Sequence, residues 1–163
     1  IAPVIDDETV AVVLLTGGLW FAADLTRALS RVGRNVRFDA LWLASYGDDT
    51  SSRGKIDVYA PLQRSVAGRK VLIVDDVFDT GLTLEQTLDA LRVLPATHAA
   101  EIRIATVWWK PSRSCTGITP HYWLHQTERW LVFPHGLCGL EAAEILRAKP
   151  GAAVLAARLA AQA

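Results

Sequence analysis

The stretch VLIVDDVFDTGLTLEQTL, residues 71–88, decides how the chain can fold. It opens with an apolar, largely β-branched run, which is typical of a strand buried on both faces. Adjacent carboxylates then end the run, and a Thr-Gly-Leu-Thr turn leads into a helical pattern. This strand–turn–helix unit predicts a parallel sheet, because parallel strands are joined by crossovers that usually contain a helix.

The rest of the chain repeats the alternation of strand and helix. Apolar runs predict strands at 10–18, 36–46, 70–77 and 100–110. Helical spacing predicts helices at 19–34, 80–94 and 139–149. Gly33 is a candidate C-terminal cap, and the aromatic-rich segment 121–136 is expected to be irregular. The order predicts an α/β fold with a doubly wound, mostly parallel sheet flanked by helices.

The composition argues against several classes of protein. The 163 residues suit one domain, and 17 basic residues balance 17 acidic ones, so we expect no nucleic-acid partner. No apolar run reaches membrane-spanning length, and no signal peptide opens the chain. Cys115 and Cys138 match no disulfide framework or metal spacing, so a cytoplasmic protein is expected. The chain begins at Ile1 and lacks methionine, which leaves open an upstream segment.

The ends of three predicted strands carry residues that are unusual for a buried strand, at 16–18, 75–83 and 110–113. Ligands of such sheets bind outside the carboxyl ends of the strands, so these segments should converge. A helix N-terminus with free N–H groups and the Thr80 and Thr83 hydroxyls can cradle phosphate. The run lacks the spacing of a Walker loop, so a nucleotide triphosphatase is not expected.

Asp75 and Asp76 precede this phosphate cradle. Paired carboxylates suit either a Mg²⁺ ion or two sugar hydroxyls. Together, the cradle and the two acids indicate a phosphorylated ribose. The alternative is a polar strand end followed by a capped helix.

The run VLIVDDVFDTGLTL, residues 71–84, resembles the signature of the type I phosphoribosyltransferases. These enzymes bind phosphoribosyl pyrophosphate. The resemblance implies that Asp75 and Asp76 hold the ribose hydroxyls, directly or through Mg²⁺. It also implies that the sugar phosphate is wrapped by Asp79, Thr80, Gly81, Leu82 and Thr83.

LLTGGLWFAADLTRAL, residues 14–29, is similar to the first strand, pyrophosphate loop and helix of the 6-oxopurine branch of this family. The resemblance implies a strained, often cis, peptide between Thr16 and Gly17 at the pyrophosphate, with Thr16 where many relatives carry a basic residue. It also implies a pyrophosphate contact for Arg113. LASYGDD, residues 43–49, resembles the flexible loop, here about 45–57, whose Ser45 and Tyr46 close over the reacting centre.

The resemblance also points to a purine pocket in a small hood at about 111–137. Lys110, at the end of ATVWWK, is implied to donate to the exocyclic oxygen of the purine. Trp130 opens WLVFPHG and is implied to stack on the base, while the backbone from Leu131 onward reads its edge. The alternatives are a solvated lysine at a strand end and plain packing of the tryptophan.

The resemblance implies a single phosphoribosyltransferase domain over 1–163 that forms a homodimer or homotetramer. Its reaction would transfer 5-phosphoribosyl from phosphoribosyl pyrophosphate to hypoxanthine, guanine or xanthine, with Mg²⁺ as cofactor. Asp79 would be the proton acceptor or orienting base. The alternative is a non-catalytic regulator that senses phosphoribosyl pyrophosphate or nucleotide, although such proteins usually lose a carboxylate, and Asp75, Asp76 and Asp79 are all present.

Overall fold

The structure, a computed structural model, describes residues 1–45, 56–93 and 98–133, together with positions 143 and 146. The strands of this part are Val10–Leu14 (β1), Arg37–Ser45 (β2), Ile56–Ala60 (β3), Lys70–Phe78 (β4), Glu101–Trp109 (β5) and Tyr122–Gln126 (β6). Its α-helices are Gly18–Arg31 (α1) and Leu82–Val93 (α2), and short 3-10 turns lie at Ala2–Val4 and Pro111–Arg113. The chain divides into two compact units, Ile1–Glu128 and Arg129–Ala163.

The six strands of the described part form one sheet in the order β3-β2-β1-β4-β5-β6. All neighbours are parallel except β3, which runs antiparallel to β2. The prediction of a doubly wound, mostly parallel sheet is therefore confirmed. From β1 the chain adds β2 and β3 on one side of the sheet and then β4, β5 and β6 on the other side. The strand order therefore reverses between β1 and β4. Crevices that bind ligands form at such a reversal.

The two helices cover opposite faces of the sheet. Successive side chains of a strand point to opposite faces, so the continuous apolar runs of β1, β4 and β5 supply two cores. The core under α1 contains Ala22, Leu25 and Leu29 of the helix with Ala11, Val13, Leu72, Val74 and Ala105 of the strands. The core under α2 contains Leu84, Leu88 and Leu91 of the helix with Val10, Val12, Val71, Ile73 and Ile104 of the strands.

Several predicted elements need correction. The first strand is shorter than 10–18, because β1 ends at Leu14 and α1 begins at Gly18. The C-terminal cap of α1 is Val32, and the predicted cap Gly33 follows it, with a φ of 70° and an N–H that donates to the Ser30 carbonyl. The antiparallel β3 was not predicted, and β6 lies in the segment expected to be irregular. Both are edge strands with exposed side chains, so they lack a burial pattern in the sequence.

Two predicted segments fall wholly or largely outside the described residues. The helix at 139–149 is represented only by positions 143 and 146. Of the loop predicted at about 45–57, residues 46–55 lie outside, while Ser45 ends β2 and Ile56 opens β3. Within the described part, no helix is long and apolar enough to cross a bilayer.

Ion pairs tie together the amino-terminal edge of the sheet. Lys70 Nζ donates to Asp6 Oδ2 at 2.7 Å, and the Thr9 hydroxyl donates to Asp6 Oδ1 at 2.8 Å. Arg69 and Arg37 both pair with Glu8. The hydrogen bond from Lys70, followed by that from Thr9, lowers the pKa of Asp6 from 3.8 to about 2. The native state therefore favours the ionised carboxyl group of Asp6 over the protonated one.

Because of this pKa shift, the free energy of unfolding depends on pH in the acid range. The pKa of Asp6 is lower in the native state than in the unfolded state. The ionised carboxylate of Asp6 therefore stabilises the native state fully at pH values above 3.8, and this stabilisation disappears as the pH falls toward about 2. Asp6→Asn should therefore lower the free energy of unfolding at neutral pH and lose less stability than wild type across that window. Urea unfolding at a series of pH values measures both effects.

Asp24→Asn is the matched control, because it removes another exposed aspartate, paired with Arg27 at 2.6 Å. This control should keep the acid dependence of wild type. Equal acid losses in Asp6→Asn and wild type would contradict the assignment to Asp6.

Candidate active site

Two polar strand ends are joined directly at the carboxyl edge of the sheet. The backbone N–H of Lys110, just after β5, donates to the Phe78 carbonyl of β4 at 2.9 Å. Farther along, the Cys115 N–H donates to the Thr80 carbonyl at 3.0 Å. These bonds fasten the segment after β5 onto the turn between β4 and α2, residues 79–81.

The end of β1 reaches the same edge through Gly17. A Cβ added at Gly17 would lie only 2.6–2.8 Å from the carboxylate atoms of Asp76, so a larger residue there would displace this carboxylate. The cis peptide in this loop joins Leu15 and Thr16, one bond before the Thr16–Gly17 peptide that was predicted. The structure thus places the predicted pyrophosphate loop beside the carboxylates of β4, with the cis bond corrected by one residue.

Asp75 and Asp76 have different surroundings. The Asp76 carboxylate lies over Gly17, whereas Asp75 lines a cavity of about 70 Å³ beside the turn. The backbone N–H of Asp76 donates to Asp75 Oδ1 at 3.0 Å. Burial, and then the charge of Asp76, raises the pKa of Asp75 well above its ordinary value. A cation or a hydroxyl donor beside Asp75 would oppose both effects.

The predicted phosphate cradle forms the wall of this cavity. Its lining residues are Asp75, Val77, Phe78, Asp79, Thr80, Gly81, Thr83 and Leu84. Gly81 has a φ of 86°, a left-handed conformation that favours glycine, and a Cβ there would clash with the Thr116 hydroxyl oxygen. The Gly81 carbonyl accepts from the Glu85 N–H at 2.9 Å, so α2 starts directly from the turn. The first turn of a helix presents N–H groups suited to an anion.

Asp79 lies between two cations. Lys110 Nζ donates to Asp79 Oδ2 at 2.9 Å, and Arg113 Nε lies 2.7 Å from Oδ1. Lys110 is only 2% exposed, so it is not the solvated lysine of the alternative interpretation. A buried ammonium group requires a counter-charge, and the Asp79 carboxylate supplies one.

The donor set at Asp75 and Asp76 fits magnesium only in part. The described residues contain no group of three or more histidine, cysteine or acidic side chains that could hold a metal. Mg²⁺ is commonly bound by one or two carboxylates together with water and substrate phosphates. The two carboxylates therefore fit an ion that arrives with a phosphorylated substrate.

The remaining predicted residues lie outside the described side chains of the first unit. Only the backbone of Ser45, at the end of β2, is described, and Tyr46 lies outside the described residues. Trp130 and Leu131 belong to the second unit, and Trp130 is exposed. Their roles stay predictions.

The contact of Arg113 with Asp79 was not foreseen. The only sequence signal for it was the convergence of the strand ends, which does not specify side-chain partners.

The sheet order and the polar residues at its carboxyl edge are those of a phosphoribosyl transferase domain. The model of the phosphoribosyl transferase domain family matches residues 4–130, and the chain belongs to this family. It is 36% identical over 104 residues to the hypoxanthine-guanine phosphoribosyltransferase of Mycobacterium avium, an alignment that covers 64% of this chain and 48% of that protein. The chain spans about half the length of several curated relatives it matches.

Solved structures agree with this assignment. A purine phosphoribosyltransferase of Pyrococcus horikoshii is 30% identical, with a TM-score of 0.62 and coverage of 77% of this chain and 74% of that one. The hypoxanthine phosphoribosyltransferase of Trypanosoma cruzi, in complex with the product IMP, is 25% identical, with a TM-score of 0.68 and coverage of 77% and 64%. The type I phosphoribosyltransferase fold predicted from the signature is therefore confirmed.

The turn at Gly81 gives a direct test of the site's construction. Gly81→Ala should lower the free energy of unfolding by about 1–3 kcal/mol, because it adds backbone strain and a clash with Thr116. Gly117→Ala is the matched control, since a Cβ there meets nothing within 4 Å among the described residues. Its cost should stay within about 0.5 kcal/mol. Equal costs in chemical denaturation would contradict the described conformation of the turn.

Proposed function

We propose that the chain is a purine salvage enzyme. It transfers the 5-phosphoribosyl group of phosphoribosyl pyrophosphate to hypoxanthine, guanine or xanthine, and it releases pyrophosphate and the nucleoside monophosphate. The observation that carries the proposal is the buried Lys110, whose Nζ reaches Asp79 at 2.9 Å and so joins the phosphate cradle to the end of β5. The names of the relatives support the substrate class.

The ribose phosphate would occupy the cradle. Residues 79–83 offer the N–H groups and threonine hydroxyls that bind a phosphate at the start of α2. Asp75 lines the same cavity, and Asp76 lies next to Gly17 at the predicted pyrophosphate loop. The two carboxylates would bind the ribose hydroxyls, and the Thr16–Gly17 loop would contact the pyrophosphate.

The purine would bind on the Lys110 side. Lys110 would donate to the exocyclic oxygen of a 6-oxopurine, Trp130 would stack on the ring, and the backbone at Leu131 would contact its edge. In adenine an amino group replaces the exocyclic oxygen, so two hydrogen-bond donors, this amino group and the Lys110 ammonium group, would face each other. A buried donor without an acceptor is costly, so adenine should be rejected.

The chemistry requires little covalent work from the protein. The bond from ribose C1′ to pyrophosphate breaks, a bond from C1′ to a purine ring nitrogen forms, and the proton of that nitrogen passes to Asp79. Positive charge develops on the ribose while negative charge develops on the leaving group. Fixed dipoles and charges are the expected source of stabilisation.

Asp75 and Asp76 would hold the magnesium ion, directly or through the ribose hydroxyls. When bound, Mg²⁺ supplies charge neutralisation to the pyrophosphate group. A nearby cation would also relieve the unfavourable surroundings of the Asp75 carboxylate, whose pKa is raised by burial and by Asp76. Binding of phosphoribosyl pyrophosphate should therefore strengthen with magnesium.

The proposal extends to the rest of the chain as one catalytic domain in the cytoplasm, working as a homodimer or homotetramer. Ser45 and Tyr46 would belong to a loop that closes over the reacting centre. Closure would exclude water, which could otherwise hydrolyse the ribosyl transition state. The small hood at about 111–137 would complete the purine pocket.

The proposal is tested by a panel assay with phosphoribosyl pyrophosphate, Mg²⁺ and each of five bases: hypoxanthine, guanine, xanthine, adenine and uracil. We expect pyrophosphate and nucleotide to form with at least one 6-oxopurine and not with adenine or uracil. Release of pyrophosphate with none of the bases would overturn the enzyme assignment and favour a regulator that binds phosphoribosyl pyrophosphate. Transfer to adenine alone would contradict the role of Lys110.

A further inference from the structure

Each oxygen of the Asp79 carboxylate contacts a different cation. Oδ2 accepts a hydrogen bond from Lys110 Nζ at 2.9 Å, and Oδ1 lies 2.7 Å from Arg113 Nε. The Arg113 side chain is 48% exposed, whereas that of Lys110 is 3% exposed. The half-exposed Arg113 therefore pairs with Oδ1, and the buried Lys110 pairs with Oδ2.

The backbone around Arg113 is fixed next to Asp79. Arg113 ends the 3-10 turn Pro111–Arg113, and its N–H donates to the Lys110 carbonyl at 3.1 Å. The Ser112 N–H donates to Glu128 Oε1 at 3.2 Å, and the Cys115 N–H donates to the Thr80 carbonyl at 3.0 Å. The guanidinium thus extends from a segment tied to the turn that carries Asp79.

The contact between Arg113 and Asp79 Oδ1 is an ion pair without an aligned hydrogen bond. Oδ1 is buried and accepts no hydrogen bond of good geometry in the described part of the chain. Oδ1 therefore lies beside Arg113 and out of reach of a ligand, whereas Oδ2 is freed for a ligand when Lys110 turns away from it. Buried acceptors without a partner are rare in native proteins, and a catalytic role is one explanation for them.

We propose that Arg113 is a positioning residue for Asp79, rather than the pyrophosphate ligand that the family resemblance implies. It holds the carboxylate by Oδ1 so that Oδ2, which Lys110 leaves, can accept the proton of the purine ring nitrogen during transfer. When Lys110 turns to the exocyclic oxygen of the purine, Arg113 is the cation that stays with Asp79. The inference rests on the proposed function, because it assigns Asp79 the proton.

The test compares wild type with Arg113→Gln, Asp79→Asn and the double variant. Asp79→Asn should lower kcat by at least about 100-fold, the usual range for loss of a general base, and change binding of phosphoribosyl pyrophosphate little. Arg113→Gln should lower kcat at least about tenfold, because a misplaced carboxylate is a poor acceptor. It should change KM for phosphoribosyl pyrophosphate less than about twofold, since it removes no contact to that substrate. In Asp79→Asn protein, adding Arg113→Gln should change kcat less than about twofold.

Two further variants separate charge from position. Arg113→Lys keeps a cation near Oδ1 and should recover part of the lost kcat. Arg27→Gln is the matched control, because it removes an exposed arginine–aspartate pair of 2.6 Å in α1. It should leave both kinetic constants within about twofold of wild type.

A rise of about tenfold in KM for phosphoribosyl pyrophosphate with kcat retained would overturn the inference and restore the pyrophosphate contact. An equal effect of Arg113→Gln with and without Asp79→Asn would also overturn it. Failure of the proposed function looks different, because wild type itself would then transfer nothing. In that case the free energies of unfolding of the same four proteins decide whether Arg113 holds Asp79: non-additive changes support the pairing, and additive changes overturn it.

Discussion

The rest of the site depends on the ion pair between Lys110 and Asp79. Lys110 ends β5 and Asp79 follows β4, so their contact of 2.9 Å connects the two strand ends through side chains as well as backbone. Removing an ammonium group from water costs several kcal/mol unless a counter-charge accompanies it. Lys110 can be 2% exposed because the carboxylate lies beside it. This contact fixes the turn at residues 79–81 relative to Lys110, where the proposed purine pocket begins.

The sheet order explains why these groups meet at all. The order reverses between β1 and β4, and polar residues lie at or just after the carboxyl ends of both strands. Gly17 allows the loop after β1 to approach Asp76 closely, and the half-buried Asp75 lines the cavity beside the turn. The site therefore has carboxylates at its centre and cations at the β5 side. This distribution suits a substrate that brings its own phosphates, and a metal ion with them.

The central strands and both helices of the first unit were predictable from the sequence, but the edges were not. The apolar runs of β1, β4 and β5 reflect burial on both faces of a parallel sheet, which leaves a strong pattern. The edge strands carry exposed residues such as Tyr59, Trp123 and Leu124, so their sequences resemble loops. The convergence of the strand ends followed from the predicted topology. The pairing of Arg113 with Asp79 could not be predicted from the topology, because it depends on one side-chain conformation at the end of a short 3-10 turn.

The most direct test of the account is a crystal structure with a 6-oxopurine nucleoside monophosphate bound. We expect the phosphate oxygens to accept hydrogen bonds from N–H groups of residues 80–83. We also expect the exocyclic purine oxygen to lie about 3 Å from Lys110 Nζ, at hydrogen-bond distance. A phosphate bound away from this turn, or a purine oxygen remote from Lys110, would contradict the claim that the two strand ends form one nucleotide site.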